Sequence, residues 1–344
     1  MKPSRVLVLM HESLVPPTSL KGYSDKKIDE FRTEYDVMAN LEKAGHEVKA
    51  LGLGDNLSEL RSVITDWKPE VAFNLLEEFQ GIVTYDQYVV AYLELMKLPY
   101  TGCNPRGMMI SRDKALSKQI LSYHRIPTPG FAVFPQGQRY RLPRKLKFPL
   151  FVKSVTEDAS FGISQASVIS DPERLKERIE FIHDQTHSDA LVEEYIEGRE
   201  LYVSVIGNDR LRTLPVWEMD FGTLPDVMAG IATRKVKWDR QYQKKHGIRT
   251  GAAHNLPDGC AAYLDKLSKR IFRSLYLSGY ARMDFRMRPD GSVFVLEANC
   301  NPNISRKEDF ADSALAVGIE YPALLEQIIR VGNNYQAAWR ADET

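Results

Sequence analysis

The chain has 344 residues, 43% of them hydrophobic, with 46 basic and 46 acidic side chains and a formal net charge of zero. That length supports a sizeable core and two or three domains, and the charge balance argues against nucleic acid or an anionic membrane as the main partner. Cys103, Cys260 and Cys300 lack metal-ligand spacing and read as reduced thiols of a cytoplasmic protein, while no export segment or membrane-length apolar run is visible.

The first hundred residues alternate strand and helix signals. Residues 5–10 form a continuous apolar run, the pattern of a strand buried on both faces. A Pro-containing loop leads to a helix over 30–44 stopped by Gly45, followed by a strand over 47–51. Helices over 57–67 and 86–96 flank a strand at 71–75, and 98–102 reads as a further strand. Such alternation predicts a parallel sheet with helices on its faces. Ligands of such sheets bind beyond the carboxyl ends of the strands, where segments 11–21, 76–85 and 101–106 fall.

A second unit begins near residue 108. The pattern predicts a helix over 113–124, strands over 131–134 and 148–154, a helix over 172–185 opened by Asp171, and a strand over 190–196. Beyond Gly198, strands over 200–207 and 211–217 lead into a polar, basic stretch over 222–253. Helices are expected over 264–277 and near 321–330.

Between those helices, runs 281–288 and 292–299 alternate apolar and polar residues around Pro289-Asp290-Gly291, a strong hairpin signal. With Asp290-Gly291 as a two-residue loop, residues whose numbers sum to 581 face each other. Asp284 then opposes Glu297 and Arg282 opposes Asn299. The period of two puts these four on one face, and Met283, Phe285, Met287, Phe294, Leu296 and Ala298 on a core face. Two carboxylates about 5 Å apart repel by roughly 3 kcal/mol at an effective dielectric of about 20. An oxygen set of Asp, Glu and Asn suits Mg²⁺, which takes one or two carboxylates plus substrate phosphates. A solvated hairpin whose acids are screened by Arg286 and Arg288 accounts for the same residues.

Two upstream segments have phosphate- and nucleotide-binding character. Lys153 ends a strand and precedes a small-residue loop containing Ser160 and Gly162, an arrangement able to hold a phosphate. It does not match a P-loop, and a surface loop beside a solvated lysine is the plain alternative. In the segment 191–201 a hydrophobic strand leads into acids, a turn at Gly198 and a further acid. Backbone near Glu193 and Ile196 could pair with an adenine edge, and Glu200 could accept from a ribose hydroxyl; charged residues flanking an edge strand are the alternative.

Together these segments resemble the ATP-grasp superfamily, in its D-alanine–D-alanine ligase-like branch. The matches run in order: PYTG at 99–102, RDKALSK at 112–118, Lys153, EEYIEGRE at 193–200, ARMDF at 281–285 and LEANCNP at 296–302. Similarity covers most of 70–330. The resemblance implies a Rossmann-like pre-ATP-grasp domain over 1–107 and two α+β ATP-grasp subdomains, over 108–198 and 199–344, clasping ATP. It assigns Lys114 and Lys153 to the ATP phosphates, Ser160 and Gly162 to the loop covering them, Glu193 and Ile196 to adenine, and Glu200 to ribose. Lys237 resembles the lysine reaching the γ-phosphate, with Lys235 as the alternative. Arg282 resembles the arginine that stabilises the oxyanion, and Asp284, Glu297 and Asn299 resemble the ligands of two Mg²⁺ ions, for which Mn²⁺ can substitute.

The activity implied is ATP-dependent joining of a carboxylate to an amine through an acylphosphate. Residues 11–35, the segment 74–81 and Asn303 depart from true D-alanine–D-alanine ligases, so the expected substrate is another amino acid or small carboxylate. Glu77 and Glu78 are candidates for an amino group or a sugar, and Arg306 or Lys307 for an acceptor carboxylate. A ligase acting on a peptide or protein, and a non-catalytic nucleotide-binding protein, are the competing readings. The resemblance also admits a homodimer.

Overall fold

The computed structural model describes residues 2–139, 141–157, 162–223 and 230–343. The first part of the chain comprises β1 (Arg5–His11), α1 (Asp25–Glu30), α2 (Arg32–Lys43), β2 (Glu47–Leu53), α3 (Ser58–Trp67), β3 (Val71–Asn74), α4 (Asp86–Leu95), α5 (Pro105–Arg112) and α6 (Lys114–Tyr123). Its three strands pair in parallel in the order β2-β1-β3. Both faces of β1 are covered, as its unbroken apolar run requires: Leu7 and Leu9 enter one core, and Val6, Val8 and Met10 the other.

Three expectations change here. The helix expected over 30–44 is α2, followed by Gly45 at φ +92°, but a separate short helix, α1, precedes it and was not expected. The strand expected at 98–102 shrinks to one parallel bridge between Tyr100 and Ala72. A helix at 105–112 was not expected; Asn104 caps it by accepting from the Gly107 N–H at 2.9 Å, and Pro105 opens it.

The middle of the chain forms β4 (Phe131–Phe134), β5 (Leu150–Ser154), β6 (Val168–Ile169), α7 (Pro172–Thr186) and β7 (Ala190–Glu194), an antiparallel sheet ordered β4-β7-β5-β6. Asp171 caps α7 by accepting from the Arg174 N–H. This sheet and α7 have their own core, around Leu150, Val152, Ile179, Ile182 and Val192.

The last part comprises β8 (Arg199–Ile206), β9 (Arg212–Thr213), β10 (Trp217–Asp220), α8 (Arg234–Trp238), α9 (Arg240–His246), β11 (Arg249–Ala252), α10 (Cys260–Ser274), β12 (Tyr280–Met287), β13 (Val293–Asn299), α11 (Asp309–Leu315) and α12 (Tyr321–Asn333). The strand expected over 211–217 is divided between β9 and β10. The sheet runs β11-β10-β8-β12-β13, with β9 on β8. Its residues share both cores of the parallel sheet: Val203, Val205 and Phe285 pack in the first, and Ile206 packs in the second beside Leu324 and Ile328 of α12. Among the described residues no helix is long and apolar enough to cross a membrane.

The hairpin keeps the expected pairs at one end by an unexpected route. Its loop has three residues, not two: Arg288 N–H donates to Ser292 O and Gly291 N–H to Arg288 O, both at 2.9 Å, with Gly291 at φ +83°. The longer loop moves the register by one, so Phe285 faces Val295 and Met287 faces Val293. A bulge at Leu296 moves it back, and Asp284 faces Glu297 while Arg282 faces Asn299. As a result Val293 and Val295 join Ala298 as core residues of β13, while Phe294 and Leu296, expected in the core, are only partly buried. Phe294 instead lies under the Arg288 guanidinium, 4.6 Å from ring centre to Cζ.

Candidate active site

A cleft of about 710 Å³ lies between the β4-β7-β5-β6 sheet and the β12–β13 hairpin. The bulge makes Leu296 and Glu297 consecutive lining residues, an apolar wall beside a carboxylate. Asp284 and Arg286 line the same side, and Lys237 on α8 borders it. Across the cleft are Phe151 and Lys153 of β5, Glu193 and Glu194 of β7, and Ile196. Alternation explains Phe151, Lys153 and Glu193. Leu150, Val152, Ala190 and Val192 face the local core, which turns Phe151, Lys153 and Glu193 to the other side.

Glu193 is the centre of a buried charge cluster. Its two carboxylate oxygens lie 2.9 Å from Lys118 Nζ and 3.0 Å from Lys153 Nζ. Burial alone would raise the Glu193 pKa, but the two ammonium groups hold it below its ordinary value. Burial pulls Lys153 down, yet Glu193 and Glu297 leave it raised; for Lys118 burial prevails and its pKa is lowered. Lys118 was missed by sequence reasoning, although it lies in the quoted 112–118 segment. A signal was present: Lys114 and Lys118 are one helical turn apart and share a face of α6, which calls for an acid between them.

Of the other expected nucleotide-site residues, Lys114 is buried at the start of α6, lines the cleft and donates to Glu157 O at 2.7 Å. Ile196 is buried, and its main chain makes no hydrogen bond with the described residues, so its N–H and C=O are available to a ligand edge. Glu200 lines the cleft with both oxygens engaged, one by Tyr202 OH and one by Arg286, each at 2.7 Å. Arg286, expected as a screening charge, is directly opposite Glu200 in the ladder and also donates to Gly198 O and Gly230 O. Gly162 is outside the cleft lining, at φ +70°, with its carbonyl accepting from Arg178. Ser160 lies outside the described residues. Lys235 is exposed, with Nζ 4.7 Å from the centre of the Tyr242 ring, and does not line the cleft.

At the hairpin, Arg282 donates two 2.8 Å hydrogen bonds to the Asp284 carboxylate, stacks 4.5 Å from the Tyr202 ring centre and lies 3.7 Å from Asp309. Burial raises the Asp284 pKa, and the guanidinium opposes this. Asn299 lines an adjoining recess with Arg112, Lys114, Glu297 and Cys300, and its Oδ1 accepts from Asn301 N–H at 2.9 Å. Asp284, Glu297 and Asn299 are an oxygen-only set on one hairpin face, suited to Mg²⁺. Among the described residues no cluster of three or more His, Cys, Asp or Glu forms a cation cage, so a cation here needs waters or phosphate oxygens to complete its shell.

The expected substrate contacts fare differently. Glu77 is exposed, and Glu78 lies 3.5 Å from His11 Nε2. Arg306 is a strut: it donates to Asn40 Oδ1 at 2.7 Å and stacks on Tyr321, tying the loop after β13 to α2. Glu34, not singled out in the sequence, is 6% exposed on the buried face of α2.

The fold and the cleft, with Lys153 of β5 and Lys114 of α6 facing opposed carboxylates on a hairpin, define an ATP-grasp ligase forming carbon–nitrogen bonds. Residues 120–330 match the family model for the D-ala D-ala ligase C-terminus. The chain is 31% identical to an uncharacterised protein, y4sG, of Sinorhizobium fredii, over 86% of each chain. It is 29% identical to a D-alanine–D-alanine ligase of Pelotomaculum thermopropionicum, over 72% of this chain and 76% of that one. The crystal structure of the Bacillus anthracis D-alanine–D-alanine ligase complexed with ATP superposes with a TM-score of 0.74 at 25% identity, over 99% of this chain and 100% of that one. The chain belongs to the D-alanine–D-alanine ligase C-terminal family.

Proposed function

We propose that this protein is an ATP- and Mg²⁺-dependent carboxylate–amine ligase that forms an amide bond through an acylphosphate, acting on an amino acid or small carboxylate other than two D-alanines. The observation that carries the reading is the common hairpin face of Arg282, Asp284, Glu297 and Asn299, bordering a cleft shared with Lys114, Lys153 and Lys237. We divide the chain into a pre-ATP-grasp domain over 1–107 and ATP-grasp subdomains over 108–198 and 199–344. A dimer of the N-terminal domain and a cytoplasmic location belong to the same proposal.

In this reading Lys114, Lys153 and Lys237 hold the phosphates of ATP, helped by the loop containing Ser160 and Gly162. The unbonded main chain of Ile196 takes the adenine edge beside Glu193, and Glu200 takes a ribose hydroxyl. Asp284, Glu297 and Asn299 hold Mg²⁺, which when bound neutralises charge on the transferring phosphoryl oxygens. A free carboxylate is a poor electrophile; γ-phosphoryl transfer to it gives an acylphosphate with phosphate as leaving group. Amine attack then builds an oxyanion. Arg282, once parted from Asp284, stabilises that charge in a water-poor site. No protein nucleophile is needed. The departures at residues 11–35, 74–81 and Asn303, with Arg306 occupied as a strut, support a substrate other than two D-alanines.

The test is a coupled assay for ADP release with MgATP and every amino acid and dipeptide, with products identified by mass spectrometry. We expect turnover with a subset, abolished by Asp284→Asn in a protein that stays folded by circular dichroism. Silence across the whole panel counts against the amino-acid substrate. ADP release undiminished in Asp284→Asn overturns the ligase assignment.

A further inference from the structure

Two lysines share one carboxylate in a buried cluster, and only one of them reaches the cleft. Lys118, Glu193 and Lys153 are each 5% exposed or less. Lys153 lines the cleft, whereas Lys118 lies behind Glu193 and outside the lining. The only other polar contact of Lys118 among the described residues is a 3.4 Å hydrogen bond to Val295 O on β13, two residues before Glu297. The three groups alone carry one positive unit, which a low-dielectric setting screens weakly, and Glu297, which also attracts both lysines, is assigned above to the metal.

We propose that Lys118 is a positioning residue for nucleotide binding: it compensates Glu193, so that the charge of Lys153 remains available to a phosphate in the cleft. This rests on the nucleotide-binding reading given above. If Lys118 were absent, Glu193 and Lys153 would form a neutral pair, and the attraction of this wall for an anion would fall. Lys118 also spans three elements. It stands on α6, whose Leu121 packs in the core shared by the parallel sheet and the β11-β10-β8-β12-β13 sheet, and it reaches β7 of the separately packed sheet and β13 of the hairpin. The side chain that sets the charge therefore also holds Glu193 at a defined place between them.

The test uses the full chain and measures affinity for MgATP, MgADP and adenosine by titration calorimetry, together with melting temperature. Lys118→Met should weaken MgATP by about tenfold or more and leave adenosine nearly unchanged, whereas Lys118→Arg should retain binding. The double variant Lys118→Met/Glu193→Gln regains the net charge. It should recover the ratio of MgATP to adenosine affinity even if its melting temperature stays low. A role confined to packing predicts the opposite, with affinity following stability and no recovery in the double variant.

If Lys118→Met does not fold, Glu193→Gln alone carries the test, since it frees both lysine charges and should raise the MgATP-to-adenosine ratio. A fall in that ratio overturns the proposal, as does Lys118→Met binding MgATP like the wild type. Wild-type protein that binds none of the three overturns the nucleotide reading itself, and this inference with it.

Discussion

Arg282 and Asp284 lie two residues apart on one strand, and the guanidinium of the first donates two 2.8 Å hydrogen bonds to the carboxylate of the second. The residue proposed to stabilise the oxyanion thus begins by neutralising a residue proposed to hold metal. A cation held by Asp284 would compete with that pair for the carboxylate. Replacing Arg282 by Met should lower kcat by about a hundredfold to a thousandfold, the usual cost of one oxyanion donor. Affinity for MgATP should change far less. Equal losses in kcat and affinity would place Arg282 in binding instead.

The two lysines of α8 should differ sharply. Lys237 borders the cleft, and Lys235 sits over Tyr242 outside it. Lys237→Met should reduce turnover by at least about tenfold, since a lost charge at a phosphate costs at least about 1.4 kcal/mol. Lys235→Met should stay within about twofold, as exposed cation–π contacts contribute little. Steady-state assays of both variants side by side decide between them.

Phe285 and Leu296 should separate stability from ligand binding. Phe285 is fully buried, and truncation to Ala should cost about 3–5 kcal/mol in denaturant unfolding. Leu296 is partly buried and lines the cleft, so its truncation should cost only about 1 kcal/mol of stability while weakening adenine nucleotides several-fold. A large loss of stability in Leu296→Ala would show that the bulge leaves Leu296 in the core after all.

Glu34 should make stability fall as pH rises. Burial, with added repulsion from Glu77, pushes its pKa from 4.5 up to about 7. Below about pH 4.5 the group is protonated both folded and unfolded, and no penalty arises. As pH rises towards 7 the unfolded chain ionises while the fold retains the proton, so stability is lost, and the loss levels off above about pH 7. The rise from 4.5 to about 7 corresponds to about 3 kcal/mol. Glu34→Gln removes this dependence. The stability difference between wild type and variant should therefore change by up to about 3 kcal/mol between roughly pH 4 and pH 8.5, the variant gaining at high pH. A difference independent of pH would show that Glu34 titrates normally.

Periodicity and local turn chemistry made much of this protein legible. The run over 5–10 announced a doubly covered strand, Asp171 a helix start and Gly45 a helix stop, because each depends on residues close in sequence. Glu193, Lys153 and Glu200 could be singled out because acids and lysines next to buried strands are chemically conspicuous. The hairpin was half legible. Its pairs at Asp284 and Arg282 were right although the loop was one residue longer than expected, since the Leu296 bulge compensated. The face of Leu296 was wrong for the same reason: a rule of period two cannot register an extra residue in one strand.

The sequence by itself determined most of the element types and named candidate residues for phosphate and metal, both of which follow from local conformation and side-chain chemistry. Only the tertiary structure decided how those charges are paired. Lys118 compensates Glu193 from another element, Arg286 engages Glu200 across the ladder, Arg282 closes on Asp284, and Arg306 braces a helix instead of waiting for a substrate. In buried surroundings a charge costs less the closer its partner lies, and that distance is set by packing between elements far apart in the chain.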